Sequence, residues 1–179
     1  QFLGRQRSQT RRERYTEKSK SAVTFPVSIA TVNFIHEGNL GYIVRAAACF
    51  GAQEVLVIGS VPEYKVLRSL SGSVCNFVSL KTFSNVAQFL EHTRKNDMKL
   101  ISLELSDDAT PIREYDFTSD KRHMCIVAGN EETGVPVEIL QNSDKIFIPM
   151  MGTGHCLNTA QAANVALYEI TNQLANVST

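Results

Sequence analysis

The chain has 179 residues, 43% of them apolar, and a formal net charge of zero. That is one domain's worth of sequence with enough apolar material for a proper core, and no apolar run approaches the ~20 residues of a membrane span. The zero conceals an asymmetry: residues 1–20 carry seven basic side chains against two acidic ones, a net of +5, while the remaining 159 residues carry 11 against 16, a net of −5.

Residues 1–21 read as a basic N-terminal arm, either mobile or a short surface helix, ahead of a domain over residues 22–179. Arg5, Arg7, Arg11, Arg12, Arg14, Lys18 and Lys20 suit phosphate contact, since each cation placed on a polyanion releases counterions. A solvated tail without a partner accounts for them equally well. Pro26 opens the fold. Val27–Phe34 reads as a strand and His36–Asn39 as a turn. Asn39–Phe50 follows as a helix with Leu40, Ile43, Val44 and Ala47 on one stripe, ended by Gly51. Glu54–Ile58 is a second strand, Pro62–Leu70 a short helix and Asn76–Leu80 a short strand. Phe83–Lys95 is a helix with Val86, Ala87, Phe89 and Leu90 on one side. Lys99–Leu103 is a strand, 104–121 a polar loop, and Met124–Ala128 a strand that runs into a turn over Gly129–Gly134. Pro136–Gln141 is a short helix with proline at an early position. Ile146–Pro149 is the last strand, and Leu157–Ala175 the longest helix, striped by Ala163, Ala166, Leu167, Ile170 and Leu174. Continuous apolar strands alternating with helices predict an α/β fold, a mostly parallel sheet with helices on both faces.

Cys49, Cys75, Cys125 and Cys156 show no C-x-x-C spacing, and His36, His92 and His123 no metal-ligand spacing. Reduced thiols, a cytoplasmic location and no metal or membrane partner are expected. The first residues lack a signal-peptide core, and Gln1 in place of an initiator methionine points to a piece of a longer chain.

Three strand-to-helix turns are candidates for chemistry, because such turns bring backbone N–H groups and a helix N-terminus to a ligand. In the first, Asn39 sits where an N-cap would. Arg45 lies opposite the apolar stripe beside Gly38, Tyr42 and Cys49, free to face a ligand, a partner subunit or solvent. The second, Gly129 to Gly134, has two glycines that suit a tight loop around a small molecule, with a carboxylate able to accept from an amine or a ribose hydroxyl. The third runs from Ile146 to Ala160. Its Gly152-x-Gly154 is similar to a dinucleotide fingerprint, but it follows the last strand rather than the first and lacks the final glycine.

In order and separation these turns resemble the three motifs of the SpoU/TrmH branch of the SPOUT RNA methyltransferases. Asn39-x-Gly41-x-x-x-Arg45-Ala46-Ala47, running into Phe50-Gly51, is similar to the first motif, and Gly129-Asn130-Glu131-x-x-Gly134 to the second. Ile148-Pro149-Met150-x-Gly152, Leu157-Asn158 and the helix to Tyr168-Glu169 are similar to the third, so the likeness spans residues 27–175. The resemblance implies a C-terminal trefoil knot, with the last strand, loop and helix threaded through an earlier loop. It implies S-adenosyl-L-methionine held bent, largely by backbone groups, with contacts at Gly129, Ile148 and Leu157 and with Glu131, Met150 and Asn158 nearby. It implies a homodimer whose interface helps form the site, and methyl transfer to a ribose 2′-hydroxyl of RNA (tRNA or rRNA). Arg45 stands at the position of the family's proposed base and Asn39 at one that orients the hydroxyl or the arginine. Free arginine titrates far above pH 7, so placement of phosphate and oxyanion fits Arg45 equally. The chain departs from the family at Cys156, where serine is usual, and at His36-Glu37-Gly38, where a proline-containing turn is common. Two other readings stay open: a non-catalytic RNA-binding module that retains the knotted fold, and a nucleotide-dependent enzyme of ordinary doubly wound topology.

Overall fold

The apolar runs become seven strands, β1 (Phe25–Val32), β2 (Ala52–Ile58), β3 (Ser79–Phe83), β4 (Lys99–Leu103), β5 (Thr110–Pro111), β6 (Met124–Ala128) and β7 (Asp144–Phe147), in a computed structural model that describes residues 9–177. They lie side by side in the order β3-β2-β1-β6-β4-β7-β5, and every pairing is parallel. Six α-helices accompany them among the described residues: α1 (Arg11–Ser19), α2 (Glu37–Phe50), α3 (Tyr64–Leu70), α4 (Val86–Lys95), α5 (Val137–Leu140) and α6 (Thr159–Val177).

Alternation along the strands sends apolar side chains to two separate cores. Val27 and Ile29 of β1 and Met124 and Ile126 of β6 join Leu40, Ile43 and Val44 of α2 and Ala163, Leu167 and Ile170 of α6. Ala30 and Val32, with Cys125 and Val127, face the other way, onto Phe89 of α4 and Ile139 of α5. Both faces of the sheet are therefore covered, as parallel strands require.

Several boundaries move from where the sequence pattern put them. The strand expected at 76–80 is β3, three residues later; Cys75–Phe77 instead forms a 3₁₀ turn. β3 is an edge strand with exposed Ser79, Lys81 and Thr82, so its apolar signal is weak. Phe83 closes β3, and α4 starts after Asn85, whose side chain accepts a 2.9 Å bond from the Gln88 N–H. The polar stretch 104–121 contains β5, paired only to β7. The last strand lies earlier, ending at Phe147, and α6 starts at Thr159 rather than Leu157. Arg5 and Arg7 of the basic arm lie outside the described residues. Within them, Thr10 and Glu13 close a capping box on α1, which buries none of its residues.

Candidate functional site

A parallel sheet points all its strand C-termini at one edge, and ligands of open α/β sheets bind there. The turns leaving β1 and β6 meet at that edge with the start of α6. Asn130 donates from Nδ2 to the Asn33 carbonyl at 2.7 Å, tying the second turn to the first. Next to it, Glu131 accepts from the N–H groups of Ile35 (3.0 Å) and His36 (3.1 Å) and from Asn39 Nδ2 (2.8 Å). Asn39 Oδ1 in turn accepts from Asn158 Nδ2 at 3.1 Å. Asn158 Oδ1 takes the N–H groups of Ala160 (2.9 Å) and Gln161 (3.3 Å), which caps α6. One line of hydrogen bonds thus runs from the α6 N-terminus through Asn158 and Asn39 to Glu131. It joins all three turns singled out in the sequence.

Asn39 is not the N-cap of α2. The helix begins two residues earlier, with His36 in extended conformation at the cap and no side-chain capping bond. Glu131, 92 residues away, satisfies the N–H groups just ahead of the helix, so Asn39 sits inside the first turn, buried. Burial alone would raise the Glu131 carboxyl above its ordinary value, but the donors from Ile35, Asn39, its own backbone and His36 outweigh it and hold the carboxyl below that value.

The glycines of the second turn are required by space. A Cβ on Gly129 would lie 2.5 Å from the Gly134 carbonyl carbon, and Gly134 itself sits at φ +71 against the Glu104 carboxylate. Glu104 Oε2 accepts the Val135 N–H at 3.0 Å. Thr159 Oγ1 donates to the Gly129 carbonyl at 2.9 Å, a second clasp between this turn and α6. Glu104 was not singled out in the sequence, and Asn130 and Thr159 only as members of the second and third turns. Their local signal is position, Glu104 and Asn130 just past a strand end and Thr159 at the first residue of α6.

Residues 148–157 form an open loop between β7 and α6. None of them makes a hydrogen bond among the described residues, and 151–157 are exposed, with nothing within 4 Å of a Cβ at Gly152 or Gly154. Ile148 and Met150 are half-buried at its start, and Leu157 is exposed at its end. The Cys156 thiol, also exposed, takes no part in the hydrogen-bonded line.

Arg45 stands apart from this cluster. It is exposed on the outer face of α2 with no ion pair and no side-chain hydrogen bond among the described residues, and its guanidinium lies over Gly72, where a Cβ would be 3.4 Å from the guanidinium carbon. Gly41, in the same motif, serves packing: a Cβ there would fall 2.3 Å from Leu70 Cβ, so only glycine lets α3 approach α2. Tyr42 and Cys49 of α2 are exposed, as are Val165 and Tyr168 of α6, and the two helices meet where Phe50 lies edge-on to Tyr168 at 6.1 Å. Among the described residues no group of three or more His, Cys, Asp or Glu side chains is placed to hold a metal ion, and no helix is long and apolar enough to cross a membrane.

Against known proteins, the model of the SpoU rRNA Methylase family matches residues 26–168. A tRNA (guanosine(18)-2′-O)-methyltransferase of Escherichia coli (strain K12) is 32% identical over 139 residues, covering 77% of this chain and 59% of that protein. The chain thus spans 59% of the length of that curated relative. The A. aeolicus TrmH/SpoU tRNA modifying enzyme superposes with a TM-score of 0.79 at 23% identity, over 93% of this chain and 85% of that one, and shows the same fold. An AdoMet-bound rRNA methyltransferase from Sinorhizobium meliloti superposes with a TM-score of 0.73 at 25% identity, over 83% of this chain and 56% of that one.

Proposed function

The chain belongs to the SpoU rRNA methylase family, and from that membership we propose that it transfers a methyl group from S-adenosyl-L-methionine to a ribose 2′-hydroxyl of tRNA or rRNA. The observation that carries the proposal is the hydrogen-bonded line Asn158–Asn39–Glu131, which assembles the three family motifs at the strand C-termini. The E. coli relative methylates a tRNA 2′-oxygen and the Sinorhizobium structure holds the methyl donor, and both support the reading.

The residues present suit that donor. Residues 148–157 offer backbone N–H and C=O groups without partners among the described residues, beside a Gly129 backbone too close to Gly134 to carry a side chain. Such groups recognise an adenine edge and ribose hydroxyls, with Ile148, Met150 and Leu157 supplying apolar contact. When bound, S-adenosylmethionine supplies a methyl group already activated by its sulfonium. What the chain adds is alignment of the hydroxyl and help in parting it from its proton. Arg45 brings a fixed fork of N–H donors that no carboxylate among the described residues claims, which suits an RNA phosphate and the oxygen as negative charge develops on it.

Asn39 and Glu131 are positioning residues in this account. Both ends of the Asn39 amide and both oxygens of Glu131 are engaged within the chain, so they set the first turn of α2, and through it Arg45. Homodimerisation across the exposed α2–α6 face belongs to the same proposal. It covers Tyr42, Cys49, Val165 and Tyr168, and it helps complete the site for the one predicted catalytic residue that the cluster leaves out, Arg45. The knot is also part of it, supported by β7 lying inside β5 in the sheet and by Gln173 of α6 bonding the Tyr115 carbonyl (3.2 Å) and the Phe117 N–H (3.2 Å) in the segment that follows β5. A cytoplasmic location fits the proposed substrate. The non-catalytic reading drew on Cys156, whose thiol holds no part of the site together, so the substitution leaves the cluster intact.

Calorimetry with S-adenosylhomocysteine tests the donor, and labelled methyl transfer to total RNA tests the reaction. Binding of S-adenosylhomocysteine and transfer by the wild type are expected. Binding of NAD or ATP in its place would end the methyltransferase reading.

A further inference from the structure

A groove of about 640 Å³ runs between α1 and the α3–3₁₀ segment, away from the hydrogen-bonded cluster. Arg11, Arg12 and Tyr15 line it from α1, Tyr64 and Arg68 from α3, and Phe77 from the 3₁₀ turn. No carboxylate lines it, and the three guanidinium groups have no ion pair or hydrogen bond among the described residues. The acids of α1 are used elsewhere: Glu13 closes the capping box and Glu17 accepts from Gln9. Between the arginines stand aromatic rings with open surface. Tyr64 is 57% exposed and Phe77 43%. Both are held in place, Tyr64 by a 2.8 Å bond from its hydroxyl to Asn76 Oδ1 and Phe77 by the edge-on Tyr15 ring at 6.0 Å.

The groove leads to Arg45. Ser73 lines it, and Gly72, the preceding residue, is the one on which the Arg45 guanidinium rests. The Tyr15 hydroxyl donates to the Gly72 carbonyl at 3.4 Å, so the arm helix is pinned to the same loop. Gly72 and Ser73 both adopt left-handed backbone, φ +67 and +71. The left-handed region is unfavourable for serine, and backbone strain of this kind gathers at ligand clamps and active sites.

We propose that this groove is the subsite for an unpaired RNA strand. Nucleotides next to the methylated one stack on Tyr64 and Phe77, their phosphates lie on Arg11, Arg12 and Arg68, and the strand continues past Gly72 to Arg45. The proposal rests on the RNA methyltransferase reading and adds to it a substrate form. Arginines alone would accept any phosphate backbone, duplex included. Exposed ring faces recognise bases only when the bases are unstacked, which selects single-stranded loops over helices.

The test is the affinity of the full chain for a fluorescent oligouridylate of twelve nucleotides and for an RNA duplex of twelve base pairs, over a range of salt, with S-adenosylhomocysteine calorimetry on the same proteins. The wild type is expected to bind the oligouridylate more tightly than the duplex. Tyr64→Ala should weaken oligouridylate binding about tenfold through lost stacking. Tyr64→Phe, which keeps the ring and loses only the Asn76 bond, should bind as the wild type does. Arg12→Gln and Arg68→Gln should each reduce the salt slope by about 0.7. Affinity for S-adenosylhomocysteine should not move in any of the four. Equal affinity for duplex and single strand, or wild-type binding by Tyr64→Ala and Arg68→Gln, would overturn the groove. Absence of S-adenosylhomocysteine binding by the wild type, with oligouridylate binding still sensitive to Tyr64, would strike the methyltransferase reading and support the groove.

Discussion

Replacing Glu131 with alanine separates a positioning role from a cofactor contact. The wild-type carboxylate accepts three hydrogen bonds, from the Ile35 and His36 N–H groups and from Asn39 Nδ2. Charge-assisted bonds to a carboxylate contribute about 1.5–3 kcal/mol each when buried, and Glu131 is only partly so. Water replaces part of what is lost, which leaves about 1 kcal/mol per bond and about 3 kcal/mol for Glu131→Ala. For a chain of this size that lowers Tm by roughly 6–12 °C. Urea unfolding is the assay, with the midpoint moving and the slope unchanged. Glu131→Gln keeps one acceptor oxygen but turns a donor toward a backbone N–H, and should fall in between. The carboxyl sits below its ordinary value of 4.5 in the folded chain, so its contribution is complete above pH 4.5 and is lost as pH falls below that toward the lowered folded value. The gap between wild type and Glu131→Gln should therefore close in acid. If Glu131→Ala left stability unchanged and instead weakened S-adenosylhomocysteine binding, the carboxylate would be a cofactor ligand and the positioning argument would be wrong.

Gly41→Ala should lower Tm by roughly 4–8 °C, although alanine is the better helix former, because its Cβ would meet Leu70 backbone and side chain. Asn158→Ala should cost about 1 kcal/mol as a lost cap, and the Asn39→Ala, Asn158→Ala pair about 1 kcal/mol less than the sum of the two, since they share one bond. A cycle that adds up would break the proposed line between the motifs. At the opposite edge of the sheet, His123 Nε2 lies 2.6 Å from Ser28 Oγ, and burial holds the imidazole below its ordinary value of 6.5 against the opposing pull of Glu54. The unfolded chain then binds more protons below that value, so wild-type stability falls as pH drops through 6.5. His123→Gln should flatten part of that fall in urea midpoints taken at about pH 7.5 and 5.5; an unchanged slope would refute it.

The sheet was legible because β1, β4 and β6 are continuous apolar runs whose pattern needs no tertiary information. β5, two residues with a proline at the sheet edge, carries no such pattern and exists only through its pairing to β7. The candidate site was legible as three turns, each marked by glycine between a strand and a helix. What joins them was not. Asn39 looked like an N-cap because capping patterns are local, while the groups that fix the start of α2 come from Glu131 and Asn158, 92 and 119 residues away. The groove was hidden for the same reason. Arg11, Arg12 and Tyr15 read as a charged arm, and Tyr64, Arg68 and Phe77 as an unremarked surface, until α1 packs beside α3.

The most direct test of the central claim is the chemistry of the product. RNA treated with the wild-type chain and labelled S-adenosylmethionine is digested and its nucleosides identified, with alkaline hydrolysis of the same RNA in parallel. Alkali cleaves through the 2′-oxygen, so methylation there protects one linkage. The account predicts a labelled 2′-O-methylnucleoside, one alkali-resistant position, and loss of both in Arg45→Ala at unchanged Tm. Label on a base, or full transfer by Arg45→Ala, would contradict it.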